Sequence, residues 1–303
     1  MRIGMYVPSD ATTGLDGILG RVRAAAAAGL DAVYFNQVLS WDALTLTALA
    51  GREVPGIDIG VAVVPTYPRH PLALAGQALT AQAASGNRLV LGVGPSHPFM
   101  MEGWFGYSYE RPVRHVREYL TALLPLLRGE HVEYKGETLT AVGRVEVPGA
   151  EPPPVLLSAL GPQMLRLAGR LADGTATVWT GPEVIGDHVV PSIVRAAEEA
   201  GRPAPRVVVS ALMSVTADPD GLRAQFADQF AITADMPAYR AILERQGLRG
   251  VHETVIAGDE AEVERAVRAY RDAGATELMV APMGNDEEVA RTIELAADLR
   301  RTL

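Results

Sequence analysis

Residues suited to proton transfer, anion binding or ring recognition recur just after β-like runs of this chain. Asn36 and Gln37 follow DAVYF (31–35), and Pro65, Thr66, Tyr67, Arg69 and His70 follow IDIGVAVV (57–64). Gly94, Pro95, Ser96 and His97 follow RLVLGV (88–93), and Leu160, Gly161, Pro162 and Gln163 follow VLLSA (155–159). Trp179 closes the run 175–179, with Thr180 and Gly181 behind it. His97 has the chemistry of a proton donor, although a lone histidine is more often a capping or packing residue. Gly161-Pro162 would open a helix directly after a strand. A proline there gives up no needed donor, and the free amides with the helix dipole would hold an anion without a cationic side chain. Gly181-Pro182 repeats the pattern, and on the residues alone a plain helix start is the favoured reading of both pairs.

Other chemistries are absent. The chain has no cysteine, which removes disulfides, thiolate zinc sites and cysteine nucleophiles together. There is no HExxH, no P-loop and no nucleophile elbow, and Gly92-Val93-Gly94 lacks the third glycine of a dinucleotide loop. The six histidines show no metal-ligand spacing, and His131-Val132-Glu133 reads as hairpin surface. A net charge of −9 argues against a nucleic-acid partner. No apolar run is long enough for a membrane span. The opening MRIGMYVP reads as a first strand rather than a secretory signal, so the expected location is the cytoplasm. Met100-Met101 and Trp104-Phe105 suit either an apolar lid or loop packing. His70 reads as a helix cap, and Arg111, Arg114 and Arg117 as a solvated or ion-paired helix face.

The elements that must position these residues alternate. Strands are expected at 2–7, 31–35, 57–64, 88–93, 155–159, 175–179, 206–215 and 277–281. Helices are expected at 15–28, 41–50, 71–85, 111–128, 162–172, 184–200, 260–273 and 286–300, with 219–249 helical in pieces. Residues 94–109 read as a long irregular loop and 131–147 as a small antiparallel excursion. Eight strands joined by helical crossovers fit a closed α/β (β/α)8 TIM barrel with loop insertions, or a doubly wound open sheet. The 303 residues slightly exceed the ~250 usual for a barrel, and no composition shift marks a linker, so one barrel domain over 1–303 is favoured.

The run VVPTYPRHPLALAGQALTAQAASGNRLVLGVGPSH (63–97) resembles the third and fourth βα units of the bacterial luciferase-like superfamily. ERPVRHVREYLTALLPLLRGE (110–130), the YKGE turn (134–137), ALGPQMLRLAGRLADGT (159–175) and ATELMVAP (275–282) extend the likeness over nearly the whole chain. It looks closest to the actinobacterial branch that uses coenzyme F420, a 5-deazaflavin. The resemblance implies a barrel with the cofactor ring across the strand tips. It also implies a bulge with a non-prolyl cis peptide at Ala62-Val63, or one residue on, behind that ring. Asn36 would bond the ring's polar edge, Val63 would press on its back, and Gly94 and Ser96 would flank it. Leu160, Gly161, Pro162 and Gln163 would hold the phosphate with help from Trp179 and Thr180. Some relatives carry Asp and His where Asn36 and Gln37 stand, and an acid near Pro95. Their absence leaves Ser96 or His97 as the expected proton donor, with His97 or Gln37 polarising the acceptor atom.

The activity this implies is hydride transfer between F420 and a C=C or C=N bond of a small molecule, with the 98–109 loop closing over it. An FMN-dependent monooxygenase and a non-catalytic flavin-binding barrel are the alternatives. No metal is expected, and a homodimer is possible for a barrel of this superfamily.

Overall fold

The computed structural model describes residues 1–9 and 12–303. Its strands are β1 (Arg2–Val7), β2 (Ala32–Phe35), β3 (Asp58–Pro65), β4 (Leu89–Gly94), β5 (Val132–Lys135), β6 (Thr140–Gly143), β7 (Val155–Ser158), β8 (Gly174–Val178), β9 (Arg206–Val215), β10 (Ile256–Gly258) and β11 (Glu277–Pro282). Eight of them form a parallel ring in the order β1-β2-β3-β4-β7-β8-β9-β11. Two pairings close it: Arg2 opposite Glu277 between β1 and β11, and Thr175 opposite Val207 between β8 and β9. The chain is therefore a closed (β/α)8 barrel, and the open-sheet alternative is excluded. β5 and β6 form the expected antiparallel excursion.

Successive strand side chains point to opposite faces, which divides the core in two. Ile3, Met5, Val33, Phe35, Val207 and Val209 pack outward in the large cluster beneath the helices. Ala32, Tyr34, Val90, Leu156, Ala176, Val208 and Met279 fill the barrel, with Tyr6, Ala62 and Val63 packed against them. Filling by side chains in layers is what makes such a barrel a core rather than a pore. At the N-terminal rim Arg206 pairs with Glu277 and donates to the Tyr34 hydroxyl at 3.1 Å, while Arg2 pairs with Asp58 at 2.6 Å. These ion pairs cross-link the strands at that end, and the C-terminal loops of the strands, where active sites of this fold sit, form the opposite rim.

Element positions agree with the sequence reading, with four informative departures. Residues 98–109 are not wholly irregular: Pro98–Gly103 is a short helix with Pro98 in its first turn. The helix expected over 184–200 starts at Pro182 and passes through a π turn at Ile185–Val189 before Val190–Glu199. Pro191 lacks the N–H that would continue the i→i−4 ladder there. Trp179 is not strand but left-handed backbone, φ +60°. β10 was not anticipated; its three residues extend the sheet beside the end of β9, with Ile256 opposite Met213. The third-strand bulge falls between Val61 and Val64, with the cis peptide at Ala62-Val63.

Candidate functional site

Asn36 and Gln37 leave β2 at the C-terminal rim of the ring. The Asn36 Oδ1 accepts from the Ser9 amide and hydroxyl, both at 2.9 Å, which ties the loop after β2 to that after β1. Gln37 is more fully engaged. Its Oε1 accepts from the Ala43 amide at 2.8 Å and from Arg69 at 3.4 Å, and its Nε2 donates to the Val38 carbonyl at 3.2 Å. Gln37 therefore shapes its own loop and the start of the helix Ala43–Glu53, while the second hydrogen of its Nε2 has no partner among the described residues.

Val63 and Ala62 project from the bulge into the barrel's interior cluster. Gly94 ends β4 beside them, opposite Pro65. A Cβ on Gly94 would lie 3.0 Å from both the Val63 Cγ2 and the Ser158 Cβ, so glycine keeps the surface between these strands low. Ser96 has φ +61°. Its carbonyl accepts from the Tyr109 hydroxyl at 2.7 Å, and its Oγ touches the Met100 sulfur at 3.4 Å.

His97 is half-buried, and burial pushes its pKa below the ordinary histidine value, so the ring is neutral at pH 7. It packs 4.6 Å from the ring of Tyr239. Burial raises the phenols of Tyr6 and Tyr109, and that of Tyr239 to about 12 although the Trp179 side chain hydrogen-bonds to it. These groups stay protonated at neutral pH. Tyr6 was within reach of the sequence reading, as an inward position of the first strand. Tyr239 had no such signal, because a helical excursion 60 residues after Trp179 in the chain carries it to the rim.

Gly161 caps the helix Pro162–Leu171, which has no side-chain cap hydrogen bond. Gly161, Pro162 and Gln163 are all exposed, and a Cβ on Gly161 would meet nothing within 4 Å. The Leu160 carbonyl accepts from His188 at 2.8 Å, which anchors the approach to this turn. The first-turn amides are thus open to an anion, as a phosphate-bearing cofactor requires.

The Gly181-Pro182 turn differs from the one at Gly161. The Gly181 amide already donates to the Gln246 Oε1 at 2.6 Å, and the helix it opens has three residues before the π turn. The Gln246 Nε2 donates to the Trp179 carbonyl at 2.9 Å, so one amide side chain latches the helix Pro237–Arg245 onto the turn after β8. Thr180 is held from both sides. Its carbonyl accepts from Tyr270 at 2.7 Å, and its hydroxyl lies 3.0 Å from that of Thr177. At 2% exposure Thr180 is buried behind the rim. Trp179 packs with Phe230 and Tyr239 at ring distances of 5.4 and 6.4 Å.

Two cavities lie on the β2–β4 side. One, of about 210 Å³, is lined by Val38, Leu39, Pro65, Met100, Trp104 and Phe105 among others, so the methionine and aromatic pairs do wall a cavity. The other, about 660 Å³, lies between the loop after β3 and the helix Pro112–Leu127. There His115 bonds Thr66 at 3.0 Å and stacks on Tyr67 at 3.8 Å, and burial pushes its pKa down to about 4. His70 is the expected cap: Nδ1 accepts from the Leu72 amide at 3.3 Å, and Nε2 donates to the Thr140 carbonyl at 2.7 Å. Arg111 and Arg114 both pair with Glu137. Among the described residues no group of three or more His, Asp or Glu side chains could hold a metal, and no helix is long and apolar enough to cross a membrane.

The profile of the family described as luciferase-like monooxygenase matches residues 1–302. The 5,10-methylenetetrahydromethanopterin reductase of Methanopyrus kandleri is 28% identical over 302 residues, covering 85% of each chain. The F420-dependent glucose-6-phosphate dehydrogenase of Nakamurella multipartita is 29% identical over 257 residues, covering 78% of this chain and 75% of that one. Other matches are shorter, spanning 65% of a Methanolobus tindarius reductase and 52% of a Mycobacterium tuberculosis relative. Among solved structures, the coenzyme F420-dependent tetrahydromethanopterin reductase of Methanopyrus kandleri superposes with a TM-score of 0.81 at 23% identity, covering 98% of this chain and 97% of that one.

Proposed function

Because the chain belongs to the luciferase-like monooxygenase family, we propose that it is an F420-dependent oxidoreductase acting on a small organic molecule. The observation that carries this reading is the uncapped, open helix start at Gly161, on the same barrel rim as the low surface at Gly94 and Val63. A flat ring with an anionic tail matches both. F420-dependent relatives support the cofactor. FMN with dioxygen is the second reading, favoured by the family's own description.

When bound, a reduced deazaflavin supplies a hydride, and reduction of a C=C or C=N bond then also needs a proton. The chain's residues bind, orient and exclude water around that exchange. The first-turn amides after Gly161 take the phosphate, with Leu160, Pro162 and Gln163 shaping the approach. Ala62 and Val63 form an apolar backing for the ring, flanked by Gly94 and Ser96. Asn36, whose Oδ1 is committed to Ser9, would have its Nδ2 donor left for the polar edge of the ring. Trp179 would wall the far side, with Thr180 packed behind it. His97, neutral at pH 7, or Gln37 would donate a hydrogen bond to the acceptor atom, and Ser96, His97 or a water would supply the proton, which solvent restores.

The test is a side-by-side titration of purified protein with F420 and FMN, followed by turnover assays with reduced F420 and enone or imine acceptors. Micromolar F420 binding, with FMN at least tenfold weaker, is expected. The reverse order would favour the oxygenase reading. Tight F420 binding without turnover on any acceptor would leave a non-catalytic binding barrel.

A further inference from the structure

The 210 Å³ cavity at the rim has three polar lining side chains, Gln37, Arg69 and Ser96. The remaining eight residues are Val, Leu, Pro, Met, Trp or Phe. Gln37 uses its carbonyl oxygen on Ala43 and Arg69, and its amide on Val38. Arg69 is ion-paired with Asp42. Both are engaged within the protein before any ligand arrives. The Ser96 hydroxyl touches only a thioether sulfur, a weak acceptor, and can rotate toward a ligand. The cavity thus offers a guest a mostly apolar wall, the Ser96 hydroxyl with the neutral N–H donors of Gln37 and Trp104, and no unpaired charge.

Resting on the reading of this rim as the catalytic site, we propose that the cavity takes a compact, uncharged, largely hydrocarbon ring bearing a single carbonyl, and discriminates against anionic substrates. An apolar cavity of ~150 Å³ holds benzene, so 210 Å³ suits a six-membered ring with short substituents. A carboxylate or phosphate placed there would lose part of its hydration and meet in Arg69 a cation already paired with Asp42. Trp104, Phe105 and the two methionines supply polarisable surface for a ring. A sugar phosphate, the substrate in the name of one relative, does not fit this chemistry.

Asp42 sets the discrimination, and it can be changed without losing its other task. It caps the helix Ala43–Glu53, accepting from the Thr45 amide at 2.8 Å. Asparagine caps as well as aspartate. Asp42→Asn therefore keeps the helix start and leaves the Arg69 charge uncompensated.

The experiment compares 2-cyclohexen-1-one with 1-cyclohexene-1-carboxylate by saturation-transfer NMR, on wild type and Asp42→Asn, without cofactor and again with F420 or FMN. Wild type is expected to bind the neutral probe at least about tenfold more tightly, and Asp42→Asn to narrow that ratio several-fold. Leu39→Arg, on an exposed part of the same wall, adds a cation at the rim and should narrow it likewise if the first variant fails to fold. Equal or tighter binding of the carboxylate by wild type, no binding of either probe at millimolar concentration, or a ratio unmoved in a folded variant would each overturn the proposal. Neutral-probe selectivity without binding of F420 would keep this inference and remove the proposed function. F420 binding with preference for the anionic probe would do the opposite.

Discussion

Replacing Gly161 by valine separates binding from stability more cleanly than any other change at the rim. Gly161 sits at φ −83°, ψ 156°, extended backbone that a β-branched residue adopts readily. A Cβ there meets nothing within 4 Å, so the folded protein has no clash to relieve. The helix loses a fair cap residue for a poor one, costing below ~1 kcal/mol. Across 303 residues the unfolding entropy is ~0.6 kcal/mol/K, so the melting temperature should fall by no more than ~2 °C. Binding responds on a different scale. An isopropyl group over the first turn obstructs an anion's approach to the amides. Each hydrogen bond to a charged group is worth ~1.5–3 kcal/mol, so losing one weakens F420 binding by ~10- to 150-fold. Gly161→Ser sharpens the contrast: a serine cap stabilises the helix yet competes with the anion for the same amides, so stability should rise slightly as affinity falls. Scanning fluorimetry and a cofactor titration on the three proteins decide the matter. An unchanged Kd in folded Gly161→Val would refute the anion-site argument. A loss of affinity matched by a collapse in melting temperature would reduce the glycine to a structural hinge.

Gln246→Ala removes hydrogen bonds to Trp179, Gly181 and Ile242. At ~1 kcal/mol net each it should cost ~2–3 kcal/mol and alter the near-ultraviolet circular dichroism of Trp179; an unchanged spectrum and melting temperature would show that the latch carries no load. His115 gives a pH signature. Its pKa lies near 4 in the folded protein against 6.5 for the free side chain, so the unfolded chain takes up the proton first. Its stabilising contribution is complete above about pH 6.5 and declines as the pH falls, with up to ~3 kcal/mol lost by pH 4. Denaturant unfolding between pH 4 and 7 should therefore be less pH-dependent in His115→Gln than in wild type, and equal slopes would exclude this histidine as the cause.

The alternation of β-branched runs with alanine- and leucine-rich helices settled from sequence alone where each rim loop begins, because hydrophobic period and helix starts are local properties. The Gly161-Pro162 helix start and the His70 cap were legible for the same reason. Closure of the ring was not, since it depends on β8 finding β9 and β11 finding β1, partners chosen by packing across the whole chain. Nor could sequence show which polar side chains remain available. Gln37 and Gly181 look alike there as free groups, yet Ala43 and Arg69 engage the one and Gln246 the other, the last from 65 residues away. Tyr239 reaches His97 only because a distant excursion folds back over the barrel. Local chemistry determined where a ligand could be held, and tertiary pairing decided which groups are left to hold it, because a hydrogen bond made inside the protein is one fewer for a guest.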